Sequence, residues 1–142
     1  MTTSLHIRFT SDPSGLGWHA ELEPELVTLV RSAGLDEIAG ICLNFAVVEA
    51  INNVIEHAYA NRPGGPIELH GHHDDKRLTL VLRDRGLPMP LPLPDGSPAD
   101  PEAESGRGWQ IIRAAFPDVR YERIDGENAL TMIRPLSAPI GR

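Results

Sequence analysis

The chain has 142 residues and carries 13 Lys and Arg against 20 Asp and Glu, a formal net charge of −7 at pH 7. That length predicts a single domain spanning residues 1–142 with a respectable core, and 41% apolar with 23% charged residues is ordinary for a globular protein. The acidic balance argues against nucleic acid or an acidic membrane as the main partner, since nonspecific phosphate binding needs basic surface, and is compatible with a basic protein partner. The lone Cys42 has no partner for an internal disulfide and reads as a small buried hydrophobe. No apolar run approaches the ~18 residues of a membrane span and no signal-peptide core is visible, so the expected location is cytoplasmic.

Leu5, Ile7 and Phe9 alternate with His6, Arg8 and Thr10, the pattern of a half-buried strand. Ser11-Asp12-Pro13-Ser14 ends it and offers a helix cap. Leu16, Leu22, Leu26, Leu29 and Val30 predict a helix from about Ser14 to Ala33, with Pro24 either kinking it or opening its second half. Gly34 stops that helix and Asp36 caps the next. From Asp36 to Tyr59 the spacing predicts one long helix whose apolar face holds Ile38, Ile41, Cys42, Phe45, Val48 and Ile55.

A turn at 61–66 leads to two strands, Ile67 to His73 and Arg77 to Arg83, joined as a hairpin through Asp74-Asp75-Lys76. Residues 84–105 hold six prolines, a density no helix or strand survives, and read as a functional loop of the lid type. A short helix from Trp109 to Phe116 follows, then strands Val119 to Ile124 and Ala129 to Arg134 around Asp125-Gly126-Glu127-Asn128. Residues 136–142 read as a frayed tail. Helices grouped on one face of a mixed, mainly antiparallel sheet make the fold class α+β, a two-layer sandwich.

Glu49 and Asn53 break the apolar character of the long helix and, four residues apart, share one of its faces. An Asn oxygen suits a hard cation such as Mg²⁺, and a carboxylate one turn away can accept a proton from an attacking hydroxyl. The plainer reading puts both at the solvent edge of an amphipathic helix. Asp84-Arg85-Gly86 stands where a strand enters the loop; a carboxylate there can accept a hydrogen bond from adenine's exocyclic amine, and Gly86 lets a ring approach the backbone. A turn Asp is the plainer reading. Gly106-Arg107-Gly108 at a helix start exposes backbone N–H groups to an anion such as phosphate, or merely supplies flexibility. His70, His72 and His73 invite a metal reading, and His70 and His72 share a strand face. No acidic or cysteine ligand stands at a suggestive spacing, so an exposed hairpin strand is preferred. Trp18 and Trp109 read as packing residues.

Taken in order, VVEAINNVIEHAY, VLRDRGLPMP and SGRGWQIIRAAFPDVRYER resemble the N, G1 and G2 boxes of the Bergerat ATP-binding fold, the GHKL group of ATPases and kinases. The likeness runs from Leu5 to Arg134, closes on GENALTMIR, and is strongest to the small bacterial anti-sigma-factor serine kinases of partner-switching systems, the RsbW and SpoIIAB type. The resemblance implies Glu49 as general base, Asn53 as the Mg²⁺ ligand, and Asp84 on the adenine amine with Gly86 allowing close approach. It implies Gly106, Arg107 and Gly108 around the ATP or ADP phosphates, and His57 at the site's edge. It further implies phosphorylation of a STAS-domain anti-anti-sigma factor, capture of a sigma factor, and transcription regulation, and homodimers are common among relatives. The sequence departs from the pattern at Pro88, where the wider fold has a second glycine, and at Glu104, where some relatives carry an arginine that reaches the γ-phosphate. Thr131 lies slightly out of register with the threonine that often closes the adenine pocket. A nucleotide-dependent sigma-sequestering module without kinase activity is the alternative, favoured by Glu104 and Pro88 and opposed by Glu49. A histidine kinase's ATP domain fits less well, for want of an upstream helix bearing a phospho-acceptor histidine.

Overall fold

The computed structural model of the protein describes residues 4–97 and 107–136. In chain order the elements are β1 (Ser4–Thr10), α1 (Leu16–Ser32), α2 (Glu37–Asn53) continued by a π-helical turn (Val54–Ala58), β2 (Pro66–His73), β3 (Arg77–Asp84), α3 (Arg107–Ala115), β4 (Asp118–Ile124) and β5 (Glu127–Pro135). The strands form one sheet in the order β1-β2-β3-β5-β4. All four pairings are antiparallel, so among the described residues the sheet is not mixed as the sequence reading had it.

Strand alternation decides which side of the sheet the helices cover. Leu5 and Ile7 of β1, Ile67 and Leu69 of β2, Leu78, Leu80 and Leu82 of β3, and Leu130 and Met132 of β5 point one way. They join α1 (Leu22, Leu26, Leu29), α2 (Leu43, Val47, Ile51) and α3 (Ile112) in one buried cluster. The fold is therefore a two-layer α+β sandwich, with the intervening strand residues on an outer face that no helix covers among the described residues. Trp18 is 3% exposed and stacks on Phe9 and His19, a packing residue as expected. Pro24 lies inside an unbroken α1.

Helix α2 turns a different face to the core than its spacing suggested. The Asp36 side chain accepts from Ala39 N at 2.8 Å and caps it as expected. The buried residues, however, are Leu43, Ala46, Val47, Ala50 and Ile51. Ile38, Ile41 and Phe45 are 73%, 51% and 59% exposed, and Cys42 is exposed as well, not a buried hydrophobe. Of the expected face only Val48, half-buried, and Ile55 touch the core. The reason is composition. From Ile38 to Ile51 the helix is apolar almost all round, so a period of 3.6 residues fits several faces and cannot choose among them. By length and composition the continuous run Glu37–Ala58 would also suffice to cross a membrane, contrary to the sequence expectation. Here it is the central helix of the layer, packed mainly on α3.

The chain end is also better anchored than expected at its first residue. Leu136 N donates to Lys76 O at 2.8 Å and its side chain packs against the core. The rest of the tail, residues 137–142, lies outside the described residues.

Candidate functional site

Between α2, its π turn, the end of β3 and the proline-rich segment lies a cleft of about 1040 Å³. This is at the upper end of the range typical of sites that enclose small molecules. Glu49, Asn53, Glu56, His57 and Ala58 line one wall, Pro88, Met89, Pro90, Pro92 and Pro94 line another, and Asp84, Tyr121 and Asn128 close one end. Gly108 and Trp109 of α3 complete it.

Glu49 and Asn53, one helical turn apart, share the cleft face, and both are half-buried. Among the described residues neither side chain has a hydrogen bond or an ion pair, so a carboxylate and an amide face the cleft with their bonding capacity free. The π turn immediately follows Asn53; a wide turn of this sort is frequent at functional sites and here brings three successive residues, Glu56, His57 and Ala58, to the wall. His57 is exposed at the rim, its Nε2 3.9 Å from Glu56 Oε2.

Asp84 ends the inward row Leu78, Leu80 and Leu82, which is why a carboxylate here is only 6% exposed. Its Oδ1 accepts from Gly86 N at 2.9 Å and from Asn128 Nδ2 at 2.7 Å. Oδ2 has no donor among the described residues. Burial pushes the Asp84 carboxyl above its ordinary value, opposed by the hydrogen bonds from Asn128 and Gly86 and by the charge of Arg123.

Asn128 is the site residue that sequence reasoning missed. It faces Asp84 directly across the β3–β5 pairing, whereas Thr131 pairs with Val81 and Arg120. Its amide is fully used. Nδ2 donates to Asp84 Oδ1 and to Leu87 O at 3.0 Å, while Oδ1 accepts from Tyr121 Oη at 2.5 Å and from Arg123 Nη1 at 2.8 Å. Tyr121 Oη in turn accepts from Met89 N at 2.9 Å. The signal lay in the alternation: Asn128 shares the inward face with Leu130 and Met132, and a polar residue in such a row needs a buried partner.

Gly86 serves a contact other than the expected one. A Cβ at this position would lie 2.4 Å from Ala58 O, and Leu87 N donates to that same oxygen at 2.9 Å. The glycine lets the end of β3 press against the π turn, and Gly86 itself does not line the cleft. Gly108 approaches the other wall: a Cβ there would lie 2.7 Å from Glu49 Oε2. Arg107 is exposed at the start of α3 and does not line the cleft, while Gly106 and Glu104 lie outside the described residues. Trp109 is buried and lines the cleft, with the Arg113 guanidinium 5.7 Å from its ring.

The described part of the proline-rich segment is fastened to α3. Arg113 donates to Pro94 O through Nε and Nη2, at 3.2 and 3.0 Å, and Gln110 Nε2 donates to Ser97 O at 3.2 Å. Residues 98–105 lie outside the described residues.

A family model described as the histidine kinase-like ATPase domain matches residues 20–134. The chain belongs to that family, and the protein is an ATP-binding module of the GHKL type. No curated protein matches it.

Proposed function

We propose that this protein is an anti-sigma factor and ATP- and Mg²⁺-dependent protein serine/threonine kinase, acting on a STAS-domain anti-anti-sigma factor in a partner-switching system. The observation that carries the reading is the pair Glu49 and Asn53, side by side on one wall of the cleft without partners among the described residues, with Asp84 at its closed end. Asp84 Oδ2 would accept a hydrogen bond from the adenine 6-amino group and disfavour guanine, whose oxygen would leave it unpaired. Asn53 is the residue that would hold Mg²⁺, through its side-chain oxygen. The bound ion would screen charge on the triphosphate. Pro88 to Pro94 would cover the nucleotide and exclude water.

In the reaction the substrate serine oxygen attacks the γ-phosphorus as the bond to the ADP oxygen breaks, and the serine proton passes to the Glu49 carboxylate. Phosphoryl transfer asks a protein mainly for positioning and charge stabilisation, and Glu49 would add a base one turn from the metal-holding Asn53. The sigma factor and the unphosphorylated antagonist would compete for the protein.

A nucleotide-dependent sequestering module is the second reading, favoured by Glu104 and by an Arg107 that stands outside the cleft lining. Incubation with γ-labelled ATP, Mg²⁺ and the cognate antagonist separates the two. Label on an antagonist serine supports the kinase; ATP-dependent complex formation without label supports the sequestering module; neither label nor complex overturns both.

A further inference from the structure

The outer face of the sheet carries a convergence of ligand groups that sequence spacing hides. His6 of β1 lies directly opposite His70 of β2 in the antiparallel register, and their rings stack with centroids 4.0 Å apart. Glu68, two residues before His70, projects from the same face of β2. Its Oε1 lies 3.3 Å from His6 Nε2 and also contacts His70 Nε2. One donor atom from each of the three residues falls within 4.8 Å of the others. Arg8 binds the other carboxylate oxygen, Nε to Oε2 at 3.2 Å, and so orients Glu68 with Oε1 toward the two imidazoles.

We propose that His6, Glu68 and His70 form a binding site for a divalent transition-metal ion, with zinc the best match, on the face of the sheet turned away from the nucleotide cleft. Two imidazole nitrogens and one carboxylate oxygen are a donor set suited to zinc. Tetrahedral zinc with bonds of about 2.0–2.2 Å places its donors about 3.3 Å apart, the separation His6 and Glu68 already have. His70, whose Nε2 now contacts Glu68 Oε1, would have to rotate away from the carboxylate to reach the same spacing. Both strands are hydrogen-bonded along their length, so the ligands are held on rigid backbone. Arg8 leaves Glu68 one oxygen to give, and a fourth coordination position stays open to water. Sequence spacing alone does not pair His70 with these ligands, because Glu68 reaches it along the strand face and His6 comes from β1 through the register. A bound ion would cross-link β1, an edge strand, to β2.

The test is titration of the nucleotide-free full chain with zinc in competition with a chromophoric chelator, alongside His6→Ala, His70→Ala, Glu68→Gln and His73→Ala. One zinc per chain is expected, bound at micromolar concentration or tighter. Each of the first three variants should weaken it at least roughly tenfold, and His73→Ala should leave it unchanged. Saturating zinc should also raise the unfolding midpoint of the wild type by several degrees but not that of Glu68→Gln, whose near-identical shape preserves the fold. No binding below about 100 μM would overturn the site. So would wild-type affinity in a His6→Ala/His70→Ala double variant, or one zinc shared between two chains.

Discussion

Asp84 and Asn128, separated by 44 positions in the chain, meet across the β3–β5 ladder, and Asn128 Nδ2 donates to Asp84 Oδ1 at 2.7 Å. Because the same amide also reaches Leu87 O and receives Tyr121 Oη, it joins the carboxylate to the first residues of the proline-rich segment. Asn128→Ala therefore leaves a buried carboxylate and a tyrosine hydroxyl short of partners. Each such group costs about 1–3 kcal/mol, so urea unfolding should show a loss in that range or slightly above it. ADP affinity measured by calorimetry should fall roughly tenfold or more as Asp84 loses its orientation. Unchanged affinity would remove Asn128 from the site.

Burial holds the Asp84 carboxyl above its ordinary value, and this has a definite sign for stability. Between the unfolded and the raised folded value, the folded chain binds more protons than the unfolded one, so stability falls as pH rises through that window. Above it the penalty is complete. Asp84→Asn removes the ionisation, and its side-chain oxygen can still accept from Asn128 and Gly86. The variant should be more stable than the wild type at neutral pH, lose that advantage in acid, and bind ADP poorly. Urea midpoints measured across the pH range decide the first two points and calorimetry the third. A less stable variant at neutral pH would mean that the ionised carboxylate is favourable where it lies.

Glu49 faces the cleft without a partner among the described residues, so replacing its charge should leave the fold alone. Glu49→Gln is expected to keep ATP affinity within a few-fold and to reduce phosphotransfer to the antagonist at least ~100-fold, the usual loss on removing a general base. Full activity in this variant would refute the assignment.

Strand alternation made most of the sheet legible, with boundaries within two residues for all five strands, because one face of each strand is buried and the other is not. That Glu49 and Asn53 share one face, the face that lines the cleft, was legible for a related reason: they are polar in an apolar run and one turn apart. Asn128 was not, since it reads as the last residue of a turn until β5 is paired with β3. The His6–Glu68–His70 convergence needs the β1–β2 register for the same reason. Helix α2 failed differently, because nearly uniform apolarity conceals which side meets the sheet.

That failure has a measurable counterpart. Leu43, fully buried, should cost about 2–5 kcal/mol on truncation to Ala. Phe45→Ser and Ile41→Ser, on the exposed stripe, should each change the stability of the isolated chain by no more than about 0.5 kcal/mol. Chemical denaturation of the three variants checks the order. A large loss at Phe45 would place that ring in the core.

Gly86 and Gly108 both lack room for a side chain, but what they would strike differs. At Gly86 a methyl meets the Ala58 backbone carbonyl at 2.4 Å, so β3 or the π turn must move as a unit. Gly86→Ala should destabilise the protein by about 1–3 kcal/mol, as overpacking does, and disturb the closed end of the cleft through Leu87. At Gly108 the obstacle is Glu49 Oε2, the far end of a flexible side chain, 2.7 Å away. The backbone need not shift, and Ala is favoured over Gly within a helix by about 1 kcal/mol. Gly108→Ala should therefore fold with equal or higher stability while the proposed base is pushed from its place. Phosphotransfer should drop with the unfolding midpoint unchanged or raised. Loss of stability without loss of transfer at Gly108 would show that the contact between α3 and Glu49 is structural.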